Sequence, residues 1–378
     1  MDITIKEMRT RSELKKFTQF GIELYKNNPY FCPPIIIDEI NTLSNDTNPA
    51  FEVCESVYYI AFQDKKPVGR IAGIINSAAN NAWQVKKLRF GWFDFINNLE
   101  VSKALLDAVV EWGRKKGMTQ MNGPVGFTDF DHQGLLLEGF EHLSPMASLY
   151  NYPYYEQHYD AYGLKKDADW IEIRSGLIHE MPERVDRLCK AVEQRYNVKI
   201  EYIHSKKELI KRFGYTFFDV IDSAYSPLYN YSPLTRSQKH YYAKMFFPLL
   251  NYDFISLITN DAGELVAVGV CMPNITPALI KTKGKLFPFG WISILKALKA
   301  KQFDQLDFLL IAVRPDYQNK GINSLFFKRL IPSFKQYGVK YSESSAILET
   351  NNKSQAHFDF FDSKQHKRRR AYIKDIAE

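Results

Sequence analysis

Apolar and polar positions alternate over residues 3–8, which predicts a short opening strand. The period then lengthens. Leu14, Phe17, Phe20, Ile22 and Leu24 fall at helical spacing, and Ser12 suits the N-cap of a helix over 12–24. A proline-rich stretch follows (Pro29, Pro33, Pro34, Pro49), then two strand patterns over 57–62 and 68–75 joined by the polar turn Gln63-Asp64-Lys65-Lys66-Pro67, a hairpin signal. A strand over 88–96 leads to a helix over 101–116, whose inner face is Leu105, Leu106, Val109, Val110 and Trp112 and whose stop is Gly117. Strands over 118–121 and 169–174 complete the first half.

The second half repeats that order. A strand covers 198–203 and a helix 206–220. A hairpin covers 255–259 and 265–272 around Asn260-Asp261-Ala262-Gly263. A strand over 307–313 runs into a helix over 319–337 closed by Gly338, and strands over 341–348 and 369–373 flank a short helix over 354–361. The reading is α/β with mixed sheets in two similar domains, 1–178 and 179–378, joined near 175–195.

Length agrees, since 378 residues exceed the roughly 100–200 of a typical domain. Hydrophobic residues at 45% and charged residues at 25% exclude a disordered, collagen-like or coiled-coil chain. No apolar run reaches the roughly 18 residues a bilayer span needs, and the N-terminal residues show no signal-peptide pattern. Four scattered cysteines (Cys32, Cys54, Cys189, Cys271) suit a reducing cytoplasm. The net charge of +7 is concentrated partly in Lys364, Lys367, Arg368, Arg369 and Arg370. That cluster reads equally as an anion-binding surface or as a solvated strand, and it is the sole support for nucleic-acid binding, which is not expected.

Chemistry concentrates in Leu309-Leu310-Ile311-Ala312-Val313-Arg314-Pro315-Asp316-Tyr317-Gln318-Asn319-Lys320-Gly321-Ile322-Asn323. An apolar strand enters a turn that opens a helix, where unpaired N–H groups and the positive dipole end can hold a pyrophosphate. Gly321 permits close approach of a phosphate, and Arg314 and Lys320 add positive charge. The stretch resembles the pyrophosphate loop of the GCN5-related N-acetyltransferase (GNAT) superfamily, Gln/Arg-x-x-Gly-x-Gly/Ala, with Gln318, Gly321 and Asn323 at the three motif positions; Asn323 replaces the usual small residue. With the repeated element order, the resemblance covers most of the chain and implies a bacterial tandem-GNAT protein. It implies acetyl-CoA or a longer acyl-CoA as co-substrate, held by Ile311, Ala312, Val313, Gln318, Asn319, Lys320, Gly321, Ile322 and Asn323, with Asn352 against the pantetheine arm. The family's tyrosine acid falls on Phe360, which has no proton to give. The first half lacks a glycine at its corresponding junction (Phe95-Ile96-Asn97-Asn98) but has Tyr159 four residues before Gly163, so it reads as a copy without the CoA loop.

The family's reaction is direct attack of a primary amine on the thioester, which calls for a base. Candidates are Glu349, with Glu343 beside it, and His132 in the glycine-punctuated loop 122–134 that also carries Asp129 and Asp131, while Tyr159 matches the tyrosine that the resemblance implies as the acid for the leaving thiolate. No spacing suits a metal. The acceptor reads as a small-molecule or lipid amine. The segment 281–301, six lysines around an aromatic stretch, suits either a peripheral membrane contact or a packed interdomain helix. A catalytically silent acyl-CoA-binding module is the competing reading.

Overall fold

A computed structural model describes residues 2–359 and 361–377. The first half supplies β1 (Ile3–Glu7), β2 (Cys54–Gln63), β3 (Lys66–Asn76), β4 (Lys87–Phe95), β5 (Gln120–Gly123), β6 (Leu135–Glu138) and β7 (Lys165–Gly176). The second half supplies β8 (Val198–Glu201), β9 (Ile255–Asn260), β10 (Leu265–Pro273), β11 (Gln305–Val313), β12 (Tyr341–Ser344), β13 (Ile347–Leu348) and β14 (Asp362–Asp375). They form one continuous sheet in the order β1-β2-β3-β4-β5-β14-β7-β12-β11-β10-β9-β8, with β6 and β13 as side branches on β14 and β7.

The halves are joined by exchange of their closing strands. β14 inserts beside β5, pairing Tyr372 with Gly123, and also runs along β7 from Asp362–Gly176 to Ile373–Lys165. β7 in turn reaches β12 of the second half, pairing Glu343 with Arg174. Each half has one parallel pair, β4 with β5 and β11 with β12. In each, the crossover between the parallel strands is a helix, Leu99–Lys115 and Asn323–Tyr337. The first helix buries Val101, Leu105, Leu106 and Val109 on its sheet; the second buries Leu325, Phe326, Leu330, Ile331 and Phe334. Both stripes step by three and four, the period of a helix laid on a sheet.

Several boundaries differ from those read in the sequence. Thr10, not Ser12, caps the first helix (Arg11–Leu24), because its hydroxyl reaches the Glu13 amide while the Glu13 carboxylate returns to the Thr10 amide. The presumed linker near 175–195 contains a helix, Glu183–Tyr196, amphipathic through Val185, Cys189 and Val192. The helix over 206–220 is two helices, Lys206–Arg212 and Thr216–Tyr225, broken where Gly214 takes a left-handed conformation (φ +51°). The helix read from 319 begins at Asn323, since Asn319 (φ +60°) and Gly321 (φ +76°) are left-handed.

Apart from the exposed Lys364, the basic cluster is a paired, largely buried set and not a solvated edge. β14 lies in the middle of the sheet, and Lys367 is fully buried between Glu343 and Glu172. Arg369 pairs with Glu172, and Arg368 and Arg370 pair with Asp169. Among the described residues, no helix is long and apolar enough to cross a membrane.

Candidate active site

β11 and β12 run parallel only as far as Phe308–Ser344. β12 then leaves to form β13 on β7, while β11 continues along β10. A bulge puts Leu309 as the extra residue of β11 at the point of parting, since Cys271 pairs with Phe308 and Val270 with Leu310. Leu309–Ile311 and residues 345–348 therefore form two diverging walls of a cleft.

At the far end of β11 the chain turns through a one-turn helix, Pro315–Tyr317, into Asn323–Tyr337. The amides of Asn319, Lys320, Gly321 and Ile322 have no protein acceptor among the described residues, and no side chain caps the helix. Asn319 and Gly321 are exposed. Lys320 holds its ammonium over the rings of Tyr196 and Tyr317, at 5.2 and 4.9 Å, beside this open helix head. Free amides, a left-handed glycine and one cation suit a pyrophosphate. Gln318 turns back, its amide donating to the Val313 carbonyl at 3.0 Å, and so buttresses the loop. Arg314 is engaged by Asp316 at 2.7 Å and by Glu264. Ala312 and Val313 lie in the core against β10, and the Tyr225 hydroxyl donates to the Ile311 carbonyl at 3.1 Å.

The equivalent place in the first half is closed. The Asn98 side chain caps its own helix by accepting from the Glu100 amide at 2.9 Å. β4 and β5 part after Arg89–Asn122, and the gap is filled by tyrosines. Tyr154 donates its hydroxyl to the Phe95 carbonyl, and Tyr155 accepts from the Phe95 amide at 3.1 Å. Asp94, which would repel a pyrophosphate, is buried against Arg70 at 2.7 Å and accepts from Tyr25 at 2.8 Å.

The cleft of the second half opens into a cavity of about 460 Å³, within the roughly 300–1,000 Å³ of small-molecule sites. Its walls are largely aromatic and aliphatic, and both halves contribute: Trp92, Phe130 and Trp170 from the first, Phe218, Leu310 and Phe358 from the second. One wall is the loop after β5. His132 donates from Nε2 to the Met146 carbonyl at 2.9 Å, since a carbonyl can only accept. That bond fixes the proton on Nε2 and leaves Nδ1 as the basic nitrogen. Asp131 accepts from the Thr128 amide at 2.9 Å and Asp129 from the Ser232 amide at 3.1 Å. Removal from bulk water pushes Asp131 up to about 7 and Asp129 up to about 6, against the pull of Arg89.

The structure separates the sequence-derived candidates. His132 and Ile311 line the cavity. Residues 318–323 form the open helix head. Glu349 is outside the cavity lining and held by Lys166 and Arg368, which pull its carboxyl below the usual range and weaken it as a base. Tyr159 is buried in the first-half core between Phe90, Phe93 and Tyr372, and burial raises its hydroxyl well above the ordinary value. Neither meets the cleft. Glu343 is neutralised by Lys367. Glu172, Glu343 and His366 place ligand atoms within 4.8 Å of one another, but the Lys367 ammonium already stands between the two carboxylates. Asn352 opens the short helix Asn352–Gln355, and its neighbour Asn351 lines the cavity and caps that helix at Ser354. Phe360 lies outside the described residues.

Sequence reading missed Arg369 and His357, both in the cavity wall. Arg369 Nη2 and His357 Nε2 have no hydrogen-bond partner among the described residues. Burial lowers His357 to about 4, so its ring is neutral near pH 7. Arg369 looked like one of a run of surface cations, and only strand order places it inside.

Solved structures of the same architecture exist. A tandem GNAT protein from the clavulanic acid biosynthesis pathway superposes with a TM-score of 0.56 at 12% identity, over 100% of this chain and 99% of that one. A GCN5-related N-acetyltransferase from Sphaerobacter thermophilus gives 0.53 at 10% identity, over 100% and 96%. The fold is the tandem GNAT fold. In sequence the chain is similar to Protein YghO of Escherichia coli strain K12, 25% identical over 382 aligned positions covering 98% of this chain and 95% of that protein. It is also 24% identical to a bacterial ceramide synthase of Caulobacter vibrioides over 93% of this chain and 91% of the relative. No family model matches the chain.

Proposed function

We propose that this GNAT-fold protein is an acyl-CoA-dependent N-acyltransferase that places a long acyl chain on an amphiphilic primary amine. The observation that carries the reading is the apolar cavity of about 460 Å³ that begins where β11 and β12 part. Acetyl transfer needs no such space, whereas a long acyl chain or an aliphatic acceptor fills it. The relative named a ceramide synthase supports the same class, since a ceramide is the amide of a fatty acid with a long-chain amino alcohol.

The helix head at 319–322 would hold the CoA pyrophosphate; among the described residues its counterpart in the first half is capped by Asn98. The loop from the first half supplies the acceptor side. Asp129 and Asp131, when ionised, attract the ammonium form of the amine; Asp131 takes the first proton and leaves the neutral nucleophile, and His132 Nδ1 accepts the second proton, which the nitrogen loses on attack. The new C–N bond forms as the C–S bond breaks, and the electron pair leaves with sulfur. A lipid amine resides in a bilayer, so the reading also requires the enzyme to meet a membrane surface.

The test is thiol release from palmitoyl-CoA and from acetyl-CoA against a panel of short and long aliphatic amines and amino alcohols. Turnover confined to long-chain pairs supports the proposal. Tight acyl-CoA binding without turnover on any amine would leave a binding module, a reading favoured by Phe360 at the position of the family's tyrosine acid.

A further inference from the structure

We infer that the segment Lys281–Lys301 is a docking surface for an anionic phospholipid bilayer, seated directly over the cavity. Phe287 is 77% exposed, Phe289 71% and Trp291 46%, and Leu295 on the helix Gly290–Leu298 is exposed beside them. Large aromatics this exposed and this close together are uncommon on a protein that stays in water. Lys281, Lys283, Lys285, Lys296, Lys299 and Lys301 surround them, all exposed and none in an ion pair among the described residues. From residue 265 to residue 303 the chain has no Asp or Glu, so nothing local offsets this charge. Elsewhere on the surface lysines commonly face carboxylates, as Lys103 does Asp107 and Lys115 does Glu111.

Aromatic side chains projecting from a ring of unpaired lysines match the chemistry of a bilayer with acidic headgroups. The rings enter the interfacial region and the ammoniums remain with the phosphates. An acidic protein surface would satisfy the lysines but would leave Phe287 and Phe289 without an apolar counterpart of matching depth.

The other side of the segment connects to the cavity. Ile294, Leu298 and Leu286 pack with Ile35, Met146, Leu249, Met272 and Leu309, and the latter five line the cavity. The Ile36 amide donates to the Gly284 carbonyl at 3.0 Å, tying the segment to the loop of Pro34 and Ile35. Gly284 has φ +70°, and a Cβ there would lie 2.0 Å from the Pro34 carbonyl oxygen, so the junction is closely fitted. An outer face for lipid and an inner face on the cavity wall give an amphiphile a short path between bilayer and cleft. The membrane inference rests on this surface alone and holds whether or not acyl transfer is the reaction.

The test uses the full chain with vesicles of phosphatidylcholine alone and of phosphatidylcholine with phosphatidylglycerol, read by co-sedimentation. The wild type should bind the mixed vesicles and lose them as salt rises. The variants Phe287→Ser/Phe289→Ser/Trp291→Ser and Lys281→Glu/Lys283→Glu/Lys285→Glu should each bind at least ~tenfold more weakly. Calorimetric binding of acyl-CoA reports separately that the helix head is intact in both. Failure of the wild type to bind mixed vesicles, or unchanged binding by the aromatic variant, overturns the inference. So does light scattering that shows a vesicle-free dimer dissolved by the aromatic substitutions, because the covering partner would then be a second copy of the chain.

Discussion

His132 Nε2 donates to the carbonyl oxygen of Met146, and this single bond of 2.9 Å decides which face of the imidazole can take up a proton. His132→Ala should lower kcat for amine acylation by about 10²-fold or more, within the range of general base catalysis. Acyl-CoA affinity should not change, because the helix head is built from other residues. A variant that retains full kcat would reduce the loop to a structural role.

The carboxylates beside it give a pH signature. Burial places Asp131 at about 7 and Asp129 at about 6, above the roughly 3.9 of an aspartate in the unfolded chain. Attraction of an ammonium needs them ionised, so kcat/KM for the amine should fall as pH drops through about 7, and Asp131→Asn should flatten that fall. Stability has the opposite sign. The folded state binds these protons more tightly, so their favourable contribution is complete below about pH 4 and disappears as pH rises through about 7. Asp131→Asn should therefore be more stable than the parent near pH 8, by on the order of a few kcal/mol, and equal to it near pH 4, as read by denaturant melts at the two values.

Gly321→Val tests the helix head. The position has φ +76°, and its Cβ would meet Val192 Cγ2 at 3.0 Å. A β-branched residue cannot take that conformation without strain, so calorimetric acyl-CoA binding should weaken by at least ~tenfold. The control is Asn98→Ala in the closed copy. It should cost about 0.5–2 kcal/mol of stability as a lost N-cap and leave acyl-CoA binding unchanged.

Ala346 lies on the cavity wall just past the parting of β11 and β12. Ala346→Phe should shift chain-length preference toward short acyl-CoAs in the thiol-release assay, with little effect on the rate for acetyl-CoA. An unchanged preference would mean the acyl chain runs elsewhere.

Lys367 is a stability test away from the chemistry. Lys367→Met leaves Glu343 and Glu172 facing one another with one cation fewer, and breaking such a buried set costs about 3–5 kcal/mol. Chemical denaturation at neutral pH should show it.

Periodicity carried the repeated architecture because both crossover helices and both hairpins bury regular stripes that local spacing encodes. The free helix head was legible for the same reason, as Gln318 and Gly321 follow an apolar strand directly. The rest depended on long-range pairing. Nothing in Lys367 or Arg369 shows that β14 crosses into the first half, so a buried network looked like a surface cluster. Tyr159 matched a spacing, but its neighbours Phe90 and Tyr372 come from distant segments and enclose it. The loop at 122–134 was recognisable by composition, yet its role depends on Met146 and on Phe218 and Leu310 of the other half, which close the cavity around it.

The exchanged closing strand also has a consequence for how the chain is made. During synthesis β5 emerges long before β14, so the first half spends most of translation with an open edge at β5 and β7. Unpaired edges recruit other strands, and partly built sheets of this size collect in aggregates. Heavy expression, or stalling anywhere between β7 and β14, should leave a sticky intermediate that holdase chaperones must shelter until the missing strand arrives.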